Sequence, residues 1–284
     1  MKKIIVLLIL SVFVFFLSSC QQSGSGITTL GSQPASLSLS FQQYFPSEQV
    51  KNGEQVSVSL SLVNNAECDI AGEVCVYGTL TNYHSGLEES CQKLDLRKIE
   101  LIGSKIRKDE TILQFPSFSY SNVIDRDVTD TIKARAKYSC EISAGPVVCI
   151  KSRLNENPEC KLTETFTGNA VNTKPAPLTL TKVVKKLVPT SSGIRIDFEL
   201  TLSKASNGKL SGEEPLTIEA ELLGFGNLEC KNINQKWYPE DTEKVINCNI
   251  NIPQVEYVEA PLNVKLKYQF ESEISKSITI ERVV

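Results

Sequence analysis

Cysteine is the residue type with most chemistry to offer in this 284-residue chain, which carries nine of them. Eight lie beyond the first twenty residues: Cys68, Cys75, Cys91, Cys140, Cys149, Cys160, Cys230 and Cys248. An even number suits a disulfide framework in an oxidising compartment. Zinc is the rival, but there is no C-x-x-C pair and His84 is the single histidine, so the ligands for a closed zinc site are lacking. If the second half of the chain forms its own unit, Cys230 and Cys248 must pair with each other, closing a loop worth roughly 3 kcal/mol. The other six cysteines allow about 15 connectivities, and spacing does not choose among them.

His84 is also the one side chain suited to act as a general base near neutral pH. It sits in Asn82-Tyr83-His84-Ser85-Gly86, a turn-like context, and no G-x-S-x-G elbow exists to supply a nucleophile. A surface turn is expected there, with no catalytic residues and no cofactor. Asp125, Asp127 and Asp130 lie close together, and alternate carboxylates are a weak calcium candidate because calcium takes oxygen ligands. The segment lacks the glycine and distal glutamate of an EF-hand, and Arg126 offsets its field, so a solvated loop is the favoured expectation. Glu213-Glu214 and Glu240-Asp241 are neighbours that point apart on a strand and are expected to serve solubility.

The ninth cysteine, Cys20, stands apart. Lys2 and Lys3 precede an apolar run from Ile4 to Leu17, broken only by Ser11. That is a secretory signal pattern, too short for a comfortable membrane span. It ends in Leu17-Ser18-Ser19-Cys20, which resembles the lipobox of prokaryotic lipoproteins, bacterial or archaeal. The resemblance implies a signal peptide over 1–19 and lipidation of Cys20. An uncleaved anchor helix and ordinary cleavage with release are the alternatives. One acyl chain binds a bilayer only marginally, so firm anchoring calls for a second signal. Residues 20–35 follow as a tether of Gln, Ser, Gly and Thr. The expected place is the cell surface, facing the extracytoplasmic side, with the membrane as first partner.

Loss of residues 1–19 removes two of the 30 basic side chains, leaving 28 against 33 acidic ones, a net charge near −5. Nucleic acid, which attracts basic surfaces, is not an expected partner. No N-x-S/T sequon follows the signal.

What must position these residues is strand. Val56, Val58, Leu60 and Leu62 alternate with serines, and Ile132, Ala134, Ala136 and Tyr138 alternate with lysine and arginine. Ile194 to Leu202 and Val264 to Phe270 repeat the habit. Period two with one polar face predicts half-buried strands, and no long helical period competes. The halves also match each other: Ala134–Glu141 lies over Val264–Glu271, Val56–Leu62 over Ile196–Leu202, and Leu37 and Leu39 over Leu178 and Leu180. A duplicated unit is expected. The joint falls at Asn172-Thr173-Lys174-Pro175-Ala176-Pro177, a short stiff linker. The sequence therefore predicts an all-β chain of two sandwich domains, 36–174 and 175–284. Lys182, Lys185 and Lys186, just after the linker, are expected to mark a charged edge strand that discourages aggregation.

Two stretches are similar to immunoglobulin-like, adhesion-related surface domains of archaea and bacteria. One runs from Phe45-Pro46 through Gly53-Glu54-Gln55-Val56-Ser57-Val58 to Asn64-Asn65. The other is Phe198-Glu199-Leu200-Thr201-Leu202-Ser203 with Asn207-Gly208-Lys209-Leu210. The resemblance implies tandem immunoglobulin-like sandwiches and a non-enzymatic, adhesive or structural role among other surface proteins. The strand-C tryptophan and paired inter-sheet cysteines of antibody domains are not evident, and Trp237 sits in a polar stretch. Two other functions compete. In one, a filament or assembly subunit donates its alternating Ser277–Val284 end by strand addition. In the other, a solute-binding lipoprotein carries a cleft of convergent polar groups.

Overall fold

The computed structural model describes residues 35–80, 86–121, 126–151, 160–211, 216–231, 237–238 and 240–282. Cys20, His84, Asp125, Glu213 and Glu214 lie outside the described residues.

The chain is all-β. In the first half the strands are β1 (Leu37–Phe41), β2 (Gln49–Lys51), β3 (Gln55–Val56), β4 (Ser59–Asn64), β5 (Ile70–Tyr77), β6 (Ser90–Leu96), β7 (Glu100–Ile102), β8 (Lys105–Arg107), β9 (Glu110–Gln114), β10 (Phe118–Ser119) and β11 (Val128–Ala144). Next come β12 (Val147–Ile150), β13 (Thr163–Thr167), a one-turn 3-10 segment (Gly168–Val171), β14 (Leu178–Pro189) and β15 (Ile194–Lys204). The last are β16 (Lys209–Leu210), β17 (Thr217–Leu222), β18 (Gly226–Asn227), β19 (Glu229–Lys231), β20 (Glu243–Ile252) and β21 (Val258–Glu281).

The period-two runs form strands because one face of each can be buried. Ile132, Ala134, Ala136 and Tyr138 on β11, and Val264, Leu266, Tyr268 and Phe270 on β21, all lie in the core, while the lysines and arginine between them face outward. The run Val56–Leu62 is one apolar line but two strands. β3 pairs with β10, and β4 pairs with β1 and β9, so the chain passes between sheets at Ser57-Val58.

The internal match is repeated in the pairing register. In the first half Leu37 faces Asn64 and Leu39 faces Leu62; in the second, Leu178 faces Lys204 and Leu180 faces Leu202. Ala134 faces Val76, and its counterpart Val264 faces Ala220. Each half thus has a sheet built on its first alternating strand (β1-β4-β9 and β13-β14-β15-β20-β19) and a second built on its longest strand.

These second sheets are not separate. β11 and β21 pair antiparallel along the whole of β11, from Val128 opposite Ile280 to Ala144 opposite Val264. A single sheet runs β18-β17-β21-β11-β5-β6 through both halves. Tyr138 faces Phe270 and Cys140 faces Tyr268. Exchanging repeat equivalents turns the first pair into the second, so a local two-fold passes through the Ser139–Gln269 pair. The two tyrosines also match in role. Leu37 N–H donates to the Tyr138 hydroxyl at 3.3 Å, and Leu178 N–H to the Tyr268 hydroxyl at 2.9 Å. Burial pushes the Tyr138 phenol up to about 12, and burial raises that of Tyr268 further.

This waist changes the picture of a free linker. Pro175, Ala176 and Pro177 are buried. Their carbonyls accept from Glu67 N–H (2.6 Å), Ala35 N–H (2.9 Å) and Ala205 N–H (2.7 Å), which ties the segment to both halves. β13, from the segment assigned by sequence to the first domain, pairs with β14 of the second. The charged edge strand must also be corrected. β14 is flanked by β13 and β15, and Lys185 is fully buried within it. Lys182 and Lys186 are exposed, but Lys185 is not, and the strand that makes β14 an inner strand, Thr163–Thr167, lies across the proline joint and is invisible to a local pattern.

Candidate functional site

All eight described cysteines are paired: Cys68–Cys140, Cys75–Cys91, Cys149–Cys160 and Cys230–Cys248. Two of these bridge residues that already face each other across adjacent strands, Cys75 with Cys91 on β5 and β6 and Cys230 with Cys248 on β19 and β20. Cys68–Cys140 instead joins the connection between β4 and β5 to β11, just beyond the point where Ala71 of β5 faces Ser139. Glu73 lies near Cys75 and Cys91 in a geometry that would suit a metal, but both sulfurs are spent in the disulfide.

The aspartates are drawn to different tasks. Asp130 is fully buried, accepting from Thr79 N–H and Thr79 Oγ1–H at 2.7 Å each and from Tyr120 O–H at 2.7 Å. Both its oxygens serve the fold, as a carboxylate removed from water must. Burial, then this bond, raises the Tyr120 phenol. Asp127 is exposed and accepts from Arg282 N–H at 3.0 Å, fastening the end of β21. The alternation in sequence implied a shared loop; β11 starts at Val128 and takes Asp130 inward.

Sequence reasoning missed a second buried polar cluster. The Lys185 ammonium donates to a Glu164 carboxylate oxygen and to the Cys149 carbonyl at 2.7 Å, against the Cys149–Cys160 disulfide. Burial lowers the Lys185 ammonium, and Glu164 opposes that shift. Glu164 and Lys185 face each other in the β13–β14 register, a signal that appears only once the strands are paired.

The outward face of β11 carries a network. Glu273 takes Lys133 Nζ at 3.2 Å and Tyr77 O–H at 3.0 Å, while Arg135 pairs with Glu89 at 3.0 Å and lies over the Tyr77 ring. A shallow depression of about 270 Å3 sits beside it at the waist, lined by Gly72, Lys137, Ser139 and Gln269. Gly72 is required there, since a Cβ would fall 2.0 Å from the Lys137 carbonyl oxygen. Trp237 is partly buried against the core, with Lys244 over its ring at 5.4 Å.

Within Ser277–Val284, the segment expected to be available for donation, Ser277–Ile280 pairs with Val128–Thr131 of β11, and Thr279–Glu281 pairs in parallel with Gln49–Lys51 of β2.

Among the exposed apolar side chains of the described residues, two groups lie close together in sequence. Tyr44 (72 % exposed) and Phe45 occupy the turn after β1, at the end remote from the waist. Leu101, Ile102 and Ile106 occupy the β7–β8 hairpin, which pairs with no other sheet.

Searches of protein-family models, of curated proteins and of solved structures give no match to this chain. Fold and chemistry together define a class: an all-β chain stapled by four disulfides, with no helix among the described residues long and apolar enough to cross a membrane. The four disulfides are compatible with an extracellular location.

Proposed function

We propose that this chain is a non-enzymatic, lipid-anchored surface protein whose two immunoglobulin-like repeats present contact surfaces to other surface proteins. The observation that carries the proposal is full pairing of the eight cysteines behind a leader ending in Leu17-Ser18-Ser19-Cys20. Disulfides of this density belong outside a reducing cytosol, and the leader supplies both export and a thiol for lipid. The repeated register supports tandem repeats, and their joining into one sheet makes a stiff spacer rather than two hinged beads. Tyr44 and Phe45 fit the partner-facing end, since exposed aromatics are favoured anchors in protein interfaces.

The test is metabolic labelling with palmitate of the full chain and of Cys20→Ala. Label on the first and its loss from the second are expected, with a matching lipid mass on the N-terminal peptide. Label that survives Cys20→Ala would remove the anchor from this reading.

A further inference from the structure

The β7–β8 hairpin is an anomaly in an acidic protein. Residues 97–108 hold five cations, Arg97, Lys98, Lys105, Arg107 and Lys108, against the single acid Glu100. Every residue from Glu100 to Lys108 is exposed. Leu101 faces Ile106 across the ladder, so the two share one side of the ribbon, and Ile102 stands at the tip, 56 % exposed. Gly103, at φ 62°, makes the tight turn beside it. Such a ribbon, apolar at its end and basic around it, buries nothing within its own chain, and a contiguous exposed apolar group of this kind marks an interaction site.

The base is held firmly. Arg97 N–H donates to Asp109 (2.8 Å), Lys98 N–H to Asp69 (2.9 Å) and Ile99 N–H to the Ala66 carbonyl (2.9 Å). The base also adjoins the point where the chain enters the fold. Asn65 donates to the Ser36 carbonyl (3.2 Å) and Ser38 Oγ (2.7 Å), and its own side-chain oxygen accepts from Lys108 Nζ at 2.7 Å. One side chain therefore links the hairpin to the first described strand.

We infer that this hairpin is a docking element for an anionic phospholipid surface, with Leu101, Ile102 and Ile106 entering the interface and the cations meeting headgroups. The inference rests on the proposed anchor at Cys20, since the chain enters the fold beside the base of this hairpin. From Arg97 to Ile102 an extended ribbon reaches roughly 17 Å. Charge complementarity favours a membrane over a protein partner, because the rest of the molecule is acidic and the hairpin cations of Lys98, Lys105 and Arg107 make no ion pair among the described residues. One acyl chain holds a protein only weakly, and a basic patch is the kind of second signal that makes attachment stable.

The experiment places a reporter at the tip. The full chain carrying Ile102→Trp is reconstituted with vesicles of phosphatidylcholine alone, or of equal parts phosphatidylcholine and phosphatidylglycerol with brominated acyl chains. The unsubstituted chain is the blank for Trp237. Flotation with neutral vesicles reports the anchor; quenching of the new tryptophan reports the hairpin. Quenching on anionic vesicles is expected, with little on neutral ones. Adding Lys105→Glu and Arg107→Glu abolishes it, since each cation contributes about fivefold to surface affinity. A chain that floats while its tip tryptophan stays in water on anionic vesicles overturns the inference. Failure of the anchor alone looks different: no flotation on neutral vesicles, yet quenching on anionic ones. Loss of both signals overturns both readings.

Discussion

Removing the Cys68–Cys140 bridge tests how the β4–β5 connection is held to β11. The bridge closes a loop of 72 residues, whereas Cys75–Cys91, Cys149–Cys160 and Cys230–Cys248 close 16, 11 and 18. Chain entropy makes the long loop worth about 4.4 kcal/mol and the 16-residue loop about 3 kcal/mol. Cys75–Cys91 lies inside the long loop and shortens its free contour to about 57 residues, which trims the first figure only to about 4.2 kcal/mol. Geometry widens the gap. Cys75 and Cys91 are already adjacent in a hydrogen-bonded ladder, so the native state keeps them together without the bond. Cys68 has no such ladder to Cys140, and the Tyr268 hydroxyl packs on the Cys140 sulfur at 3.2 Å. The double variant Cys68→Ala/Cys140→Ala should therefore lose at least 1 kcal/mol more than Cys75→Ala/Cys91→Ala, roughly a five- to tenfold difference in the unfolding equilibrium. Urea unfolding followed by far-UV circular dichroism, with equal m-values required of both variants, measures it. Equal losses, or a larger loss for Cys75→Ala/Cys91→Ala, would refute the claim that closing the long loop outside a ladder outweighs closure within one.

Other substitutions probe the buried polar groups. Tyr268→Phe should cost about 2 kcal/mol, because the hydroxyl satisfies both the N–H and the carbonyl of Leu178 at 2.9 Å; Tyr138→Phe, whose bond to Leu37 N–H is 3.3 Å, should cost less, and thermal unfolding ranks the two. Lys185→Met leaves Glu164 without its cation and should destabilise by about 2–3 kcal/mol, most of it recovered in Lys185→Met/Glu164→Gln, as a denaturant double-mutant cycle would read. Asp130→Ala strands three donors and should cost about 3 kcal/mol or more, and millimolar calcium should leave the melting temperature of the parent chain unmoved; a rise on calcium addition would show that Asp130 is not fully spent on the fold. Burial pushes the Glu273 carboxyl up, but bonds from Lys133 and Tyr77 outweigh it and hold the group below its ordinary value. Its contribution is therefore present at neutral pH and lost as pH falls through that lowered value, so Glu273→Gln should flatten the acid limb of a stability–pH curve.

Much of the fold was legible in particular residues. Ile132 to Tyr138 and Val264 to Phe270 announced strands because alternate side chains face opposite sides of a pleat, and no helical period contradicted them. The match of Leu37 and Leu39 to Leu178 and Leu180 announced the shared register. Less was legible at the candidate sites. Asp130 was expected within the loop, but β11 begins two residues before it at Val128, and alternation along the strand turns its side chain to the core. Lys185 looked like surface because nothing near it in sequence reveals Glu164 or the carbonyl of Cys149.

By itself, then, the amino-acid sequence determined which segments are extended and which of their faces are apolar. Both follow from local alternation, which needs no knowledge of neighbours. Only the tertiary structure decided which faces meet: β11 against β21 across the waist, the three pairings of the first six cysteines, the burial of Pro175–Pro177 and of Lys185, and the hairpin left without cover. The physical reason is that strand pairing is non-local. Backbone hydrogen bonds are the same for every sequence, so a partner is selected by the sum of side-chain fits along a whole ladder, and that sum exists only when the chain is folded.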